Sequence, residues 1–191
     1  VSTAVLASGT IRFSPAIDDH LAAAARRPLG LADKLFLGLG EGHGLDPDSH
    51  LIGNPRSAVT GSYYIRPFGE PVIECFLGGS GAEQLEQAGL AGAFAFAAEQ
   101  LAALLGSDIR SRLRPLAGSS WRRTDYVGGS YSHALPGCAT ARAALAAPVD
   151  GRLFFAGEAT HETDFSTAHG AWQSGLRAAE EALAAPGSLR R

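Results

Sequence analysis

The 191-residue sequence has no methionine, two cysteines and few aromatic side chains, 8% of the total. Cys75 and Cys138 cannot build a disulfide framework, and neither has a ligand-like neighbour at metal spacing, so no metal site is expected. A reducing, cytoplasmic compartment fits this usage. Excess charge of one sign is lacking too: 16 basic residues face 19 acidic ones, the net charge is −3, and the basic residues are scattered. That balance gives no reason to expect nucleic acid or an anionic membrane as a partner. No apolar run reaches the ~18 residues of a membrane span, and no basic, apolar leader opens the chain.

Two signatures of ligand chemistry are also missing. The glycine fingerprint that opens a dinucleotide-binding βαβ unit is absent. The nearest candidate, residues 38–44 (GLGEGHG), puts His43 in the third glycine position and runs on into Leu45-Asp46-Pro47-Asp48 and not into a helix. Ser80 between Gly79 and Gly81 lacks the G-x-S-x-G pattern of a nucleophile elbow. His133, His161 and His169 form no convincing ligand pair.

What is present is a mixed α/β pattern with enough apolar residues, 46%, for one or two compact domains. Residues 1–6 read as a strand and 11–14 as an extended segment. The Asp18-Asp19 pair opens an alanine-rich helix that ends at Arg26 and Arg27 and is stopped by Pro28 and Gly30. Strands are predicted over 32–39, 62–66 and 72–77, the last two joined by a hairpin-like 67–71 connection. The glycine, proline and aspartate content of 40–55 predicts a long loop. Helical periodicity follows over 83–87 and 94–105, then a strand over 112–116 and a short helix over 139–146.

The chain is organised around its closing stretch. The apolar run 153–156, stopped by Gly157, reads as a short strand buried on both faces. Glu158 follows at the strand end, where a carboxylate can accept hydrogen bonds from sugar hydroxyls of a nucleotide. Ser166 or Thr167 then caps a helix over 168–185. Positions 171, 172, 175, 176, 179, 182 and 183 give that helix an apolar or small face opposite Arg177, Glu180 and Glu181. Gly170, Ser174 and Ala178, with Ala171, Gly175 and Ala179, make two ridges almost free of side chain. The amides of the first turn, near Thr167 and Ala168, offer partial positive charge to an electron-rich ligand.

The run FFAGEAT (154–160) followed by HGAWQSGLRAAEEAL (169–183) resembles the C-terminal flavin-binding segment of the flavin amine oxidases, a superfamily with monoamine oxidases, polyamine oxidases and histone lysine demethylases. Ile11-Arg12-Phe13-Ser14-Pro15, Ser119-Ser120-Trp121 and Gly129-Ser130-Tyr131-Ser132 are similar to that family in the same order. The resemblance implies a mixed α+β fold. Residues 1–10 would be a strand returning to a Rossmann-like FAD domain, 11–149 part of a substrate domain with a mixed sheet, 150–185 the last βα unit of the FAD domain, and 186–191 a tail. It also implies that the fingerprint lies upstream, so the chain is expected to be the C-terminal portion of a longer or processed polypeptide.

The same resemblance implies roles for single residues. On sequence grounds Lys34 is a strand-edge lysine reaching solvent, and Trp121 and Tyr131 are core aromatics. In the family, a lysine in a K-[VIL]-F-L segment holds a water against flavin N5, which assigns Lys34. The tryptophan packs beside the isoalloxazine and the tyrosine forms one wall of an aromatic cage, which assigns Trp121 and Tyr131. Such a wall attracts a cationic amine. Gly157, Glu158, Thr167 and the amide of Ala168 form the flavin set. Ser130 stands where monoamine oxidases carry the flavin-linking cysteine, so FAD is expected to be non-covalent at this segment. Thr167 stands in place of their second cage tyrosine. Both departures resemble the polyamine oxidase and demethylase branches.

The implied activity is oxidation of a small amine to an imine by hydride transfer to FAD, with oxygen regenerating the flavin and releasing hydrogen peroxide. The fragment alone is expected to be inactive without the upstream FAD-binding segment, in cis or as a separate chain, and a homo-oligomer is compatible with the sequence. Alternatives are an L-amino-acid oxidase or flavin desaturase of the same superfamily, or a non-catalytic module that keeps the fold as a binding or assembly surface.

Overall fold

The computed structural model describes residues 1–186 and divides into two units, one of residues 31–123 and one of residues 1–30 together with the chain from 124 onward. The tail expected over 186–191 lies, after residue 186, outside the described residues.

The unit of residues 31–123, the sheet unit, is an antiparallel five-stranded sheet in the order β2-β3-β4-β1-β5. Its strands are β1 (Ala32–Leu39), β2 (Ser49–Ile52), β3 (Ser62–Ile65), β4 (Val72–Gly78) and β5 (Leu113–Gly118). β1 spans the predicted residues, and β3 and β4 form the predicted hairpin. The four-residue edge strand β2 was hidden in the stretch read as a loop. It pairs with β3 from Ser49 opposite Ile65 to Ile52 opposite Ser62, and so short a segment carries little period-2 signal. β4 shows that alternation plainly: Ile73, Cys75 and Leu77 are buried and their neighbours are not. These side chains, with Leu35, Leu37, Tyr63 and Ile65, pack against Leu85, Ala97 and Leu101 of helix α3 (Gly79–Leu105). Fully burying each such aliphatic side chain contributes about 1.5–3 kcal/mol.

α3 joins the two helical runs seen in the sequence into one span, broken at Gly89, whose backbone sits at φ 72°, ψ 179°. Over part of its length it is apolar enough, at a mean hydropathy of 1.5, to cross a membrane by length and composition. The break at Gly89 leaves neither arm at the ~20 helical residues of a span.

The second unit, the helical unit, holds α1 (Thr3–Ala7), α2 (Asp18–Ala25), α4 (Ala141–Ala146) and α5 (Ala168–Ala184). Its core is smaller: Leu6, Ile17, Ala23, Ala24, Ala141, Leu145 and Ala159, with Phe13 and Phe155 against them. Two sequence expectations fail here. Residues 1–6 are not a strand, because Ser2 caps a helix by accepting a hydrogen bond from the Val5 amide (3.2 Å). Residues 153–156 are not a strand buried on both faces. Leu153 makes an isolated bridge to Val149, residues 153–155 are half-buried and Ala156 is exposed. A strand needs a ladder partner, and among the described residues this unit has isolated bridges in place of a sheet.

α5 begins where the sequence places it. Its packed ridge is Gly170, Ser174 and Ala178. Arg177 anchors it by donating to the Phe155 carbonyl (2.7 Å) and pairing with Glu181 (2.7 Å). The apolar stripe of Trp172, Leu176 and Leu183 therefore points away from this unit's core, with Trp172 67% exposed.

Candidate functional site

In the sheet unit, Lys34 and Trp121 are brought together by a residue the sequence did not single out. The Asp33 carboxylate is buried on the face of β1 opposite Lys34. Its Oδ1 accepts from the Ser119 hydroxyl (2.6 Å) and the Trp121 amide (3.3 Å). Lys34 and Ser119 close the link, the Lys34 amide donating to Ser119 Oγ (2.9 Å) and the Ser119 amide to the Lys34 carbonyl (2.9 Å). One strand thus presents an ammonium on one side and, on the other, a carboxylate that fixes the start of the Trp121 turn. The signal available in the sequence was a charged residue at an inward position of an apolar strand. The Lys34 ammonium is half-exposed and pairs with Glu74 across the β1–β4 ladder. Cys75 in the same sheet is no nucleophile: burial pushes its thiol up to about 12, so it stays protonated at neutral pH.

In the helical unit, Tyr131, Gly157, Glu158 and Thr167 converge through a second carboxylate. Glu158 opens a single turn of 3-10 helix, Glu158–Thr160. Its Oε1 accepts from the Ser132 amide (2.8 Å), and its Oε2 from the Ser132 hydroxyl (2.9 Å) and the Ser166 amide (2.8 Å). Ser166 returns its hydroxyl to the Ser132 carbonyl (2.8 Å). Three donors to one carboxylate make a strong staple, which locks the loop carrying Tyr131 to the loop leading into α5. The loop of Tyr131 is also tied to the end of the 1–30 segment, Gly30 donating to the Tyr131 carbonyl (2.8 Å) and Ser130 to the Gly30 carbonyl (2.9 Å). Gly129 permits that approach, since a Cβ there would lie 2.6 Å from Leu29 Cβ and 2.9 Å from the Gly30 oxygen.

Thr167 is the N-cap. Its hydroxyl accepts from the Gly170 amide (3.0 Å) and donates to the Asp164 carbonyl. Gly170 is required as well, because a Cβ would fall 1.9 Å from the Asp164 oxygen. The capping bond satisfies Gly170, while the amides of Ala168 and His169 have no intrahelical acceptor by helix geometry. Gly157, at φ 128°, has open space where a side chain would stand and holds Ser174 Oγ from its amide (2.9 Å). A cleft of about 420 Å³ runs past Gly157, Glu158, Ser130 and residues 154–156. Ser130 Oγ is buried there and finds no acceptor among the described residues.

Lys34 and Trp121 thus belong to the sheet unit, and Tyr131, Gly157, Glu158, Thr167 and Ala168 to the helical unit. Among the described residues no group of three or more His, Cys, Asp or Glu side chains is placed to hold a metal.

Residues 1–183 match the model of the flavin containing amine oxidoreductase family. The chain is 32% identical over 189 residues to polyamine oxidase 3 of Oryza sativa subsp. japonica, covering 95% of this chain and 38% of that protein. It is 30% identical over 213 aligned positions to histone demethylase-like protein A of Aspergillus fumigatus, covering 95% of this chain and 18% of that one. A shorter stretch of 78 residues is 40% identical to the bovine (Bos taurus) peroxisomal N(1)-acetyl-spermine/spermidine oxidase, covering 37% of this chain and 15% of that protein. In fold it is similar to a putrescine oxidase with redesigned cofactor binding, at a TM-score of 0.74 and 18% identity over 94% of this chain and 41% of the other. The chain spans well under half the length of these relatives. On the family match and on these relatives, the chain belongs to the flavin containing amine oxidoreductases.

Proposed function

We propose that this chain is the C-terminal part of an FAD-dependent amine oxidase of the polyamine-oxidase type, oxidising a small amine to an imine with release of hydrogen peroxide. The observation that carries the reading is the 420 Å³ cleft of the helical unit, with Gly157 open on its ligand side, the orphaned Ser130 hydroxyl and the Glu158 staple. These features fit part of a dinucleotide: a glycine without a Cβ admits close approach, and a buried hydroxyl without an acceptor is a donor waiting for one. Bound FAD would supply the two-electron acceptor for the amine's C–H bond.

The chain's own residues have simpler tasks. Gly157 and Ser130 hold the cofactor without a covalent link, since a serine hydroxyl in the cysteine's place cannot form the thioether. The uncapped amides of Ala168 and His169 stabilise negative charge that develops on the edge they face. Tyr131, partly exposed, offers a π-face to a cationic amine. Trp121 would pack against the flavin ring. Lys34 would hold a water and lend its positive charge during reoxidation; its ion pair with Glu74 orients it. Activity requires the rest of the family fold, supplied in cis or by an associated chain, because the aligned relatives are more than twice as long.

The test is to co-produce this chain with the segment that completes the fold and record a visible spectrum. A yellow chromophore that bleaches anaerobically with a polyamine and yields peroxide in air is expected. A folded, colourless complex would refute the reading and favour an assembly module.

A further inference from the structure

The helical unit buries two arginines for which its own chain provides little. Arg27, at the end of α2, is 0% exposed, and Arg142, in α4, is 3% exposed. Arg27 donates from Nη2 to the carbonyls of Cys138 (2.8 Å) and Ala139, but Nε and Nη1 have no acceptor among the described residues. Arg142 reaches the Ala159 carbonyl from Nη1 at 3.4 Å and stacks over the Phe165 ring at 3.8 Å, and its Nη2 has no acceptor. Neither guanidinium makes an ion pair among the described residues. Burial lowers the proton affinity of both, and for Arg142 the charge of Arg27 adds to the effect, so the two cations feel each other.

Both line one cleft of about 370 Å³, with Tyr131, Phe165 and Ser166 among its other walls. A buried guanidinium with unused N–H groups is costly unless an anion meets it. Arginine's planar fork suits an oxyanion bound through two parallel hydrogen bonds. The charge balance narrows the class. Glu158 acts on both arginines but is already held by Ser132 and Ser166. Glu158 beside the arginines and Glu162 at the rim offset much of the two guanidinium charges, which disfavours a phosphate dianion relative to a monoanion. Glu162 and His133 are exposed at the rim, and the Cys138 thiol lies close to Arg27.

We propose that Arg27 and Arg142 form a binding site for a small monocarboxylate, which takes up the unused N–H groups with Tyr131 and Phe165 as aromatic walls. The proposal does not rest on the flavin reading. The carboxylate reaches the cleft either on a free ligand or on an acidic side chain of the polypeptide that completes the family fold; the chemistry at the arginines is the same.

The probes are benzoate, its neutral isostere benzamide, and inorganic phosphate, titrated calorimetrically into the chain at low ionic strength. Benzoate is expected to bind with one site per chain, at least about tenfold more tightly than benzamide, the factor that ~1.4 kcal/mol of charge-assisted bonding gives. Phosphate should bind more weakly than benzoate. Equal affinity for benzoate and benzamide, tighter binding of phosphate, or no heat with benzoate would each overturn the proposal, and these comparisons need no variant. Arg142→Gln should weaken benzoate about tenfold or more while the exposed Arg152→Gln leaves it unchanged; a folded Arg142→Gln chain with undiminished affinity contradicts the site. Repeating the titration on the completed complex separates the sources. Benzoate binding that vanishes identifies an acidic side chain of the added polypeptide as the occupant, and binding that persists identifies a free ligand.

Discussion

The sheet unit keeps its ion pairs on its surface, Lys34 with Glu74, Arg110 with Glu99 and Arg122 with Glu83, whereas the helical unit buries Arg27 and Arg142 without a carboxylate partner among the described residues. The sheet unit also buries large aliphatic side chains on a two-layer frame, Leu37, Ile65, Ile73 and Leu101 among them. The helical unit packs mostly small ones and leaves Trp172, Leu176 and Leu183 exposed along α5. Both units hold buried polar atoms without a hydrogen-bond partner among the described residues: Asp33 Oδ2, Thr60 Oγ1 and Arg66 Nε in the sheet unit, and in the helical unit Ser130 Oγ and three guanidinium nitrogens of Arg27 and Arg142, which lie beside two clefts and the bare Gly157. Unsatisfied features of this kind concentrate where something else binds.

That contrast is open to attack by substitution. The largest effect is expected in the core of the sheet unit. Leu37 is fully buried, so Leu37→Ala should cost about 2–5 kcal/mol in urea-induced unfolding; a loss under about 1 kcal/mol would mean the sheet core is not the stable part. Next comes the Glu158 staple. Glu158→Ala removes an acceptor from three donors and should cost about 3 kcal/mol, with the amides of Ser132 and Ser166 losing exchange protection while those of β1 keep theirs. Thr167→Ala should cost about 1 kcal/mol through the lost cap, read as faster exchange at the Gly170 amide, and Thr167→Ser should restore it.

The smallest effect is on pH dependence. Arg110 holds Glu99, through a paired hydrogen bond, below the ordinary carboxylate range, and the Tyr64 hydroxyl does the same for Asp48. A depressed folded value means the contribution is complete above the ordinary value of about 4 and is lost as pH falls through the folded one. Acid titration of the sheet unit should therefore show a modest stability loss below about pH 4, which Glu99→Gln and Asp48→Asn together flatten. An unchanged slope in the double variant would remove these two groups from the account.

Much of the sheet unit was legible because its signals are local. β1, the β3–β4 hairpin and both arms of α3 follow from alternation, helical period and turn residues within short windows. The cap at Thr167 was legible for the same reason. The failures are non-local. Residues 1–6 and 153–156 look like strands by composition, yet a strand exists through its partner, and among the described residues this unit provides no sheet for them. The partners of Glu158, 26 and 8 residues away, leave no mark in the sequence. Asp33 was passed over because its role is to fix a turn more than 80 residues downstream. Arg27 read as an ordinary basic helix end, and nothing in a linear pattern tells a capping arginine from a buried one.

The central claim is that the cleft past Ser130 and Gly157, with the first turn of α5, takes the flavin, while the sheet strands serve as its frame. Amide hydrogen exchange on the chain in complex with the segment that completes its fold, with and without FAD, tests it most directly. Cofactor-dependent protection should concentrate at Ser130, Gly157 and the first turn of α5, with β3 and β4 unchanged. Protection confined to the sheet strands, or none at Gly157 and Ala168 at saturating FAD, would contradict the account.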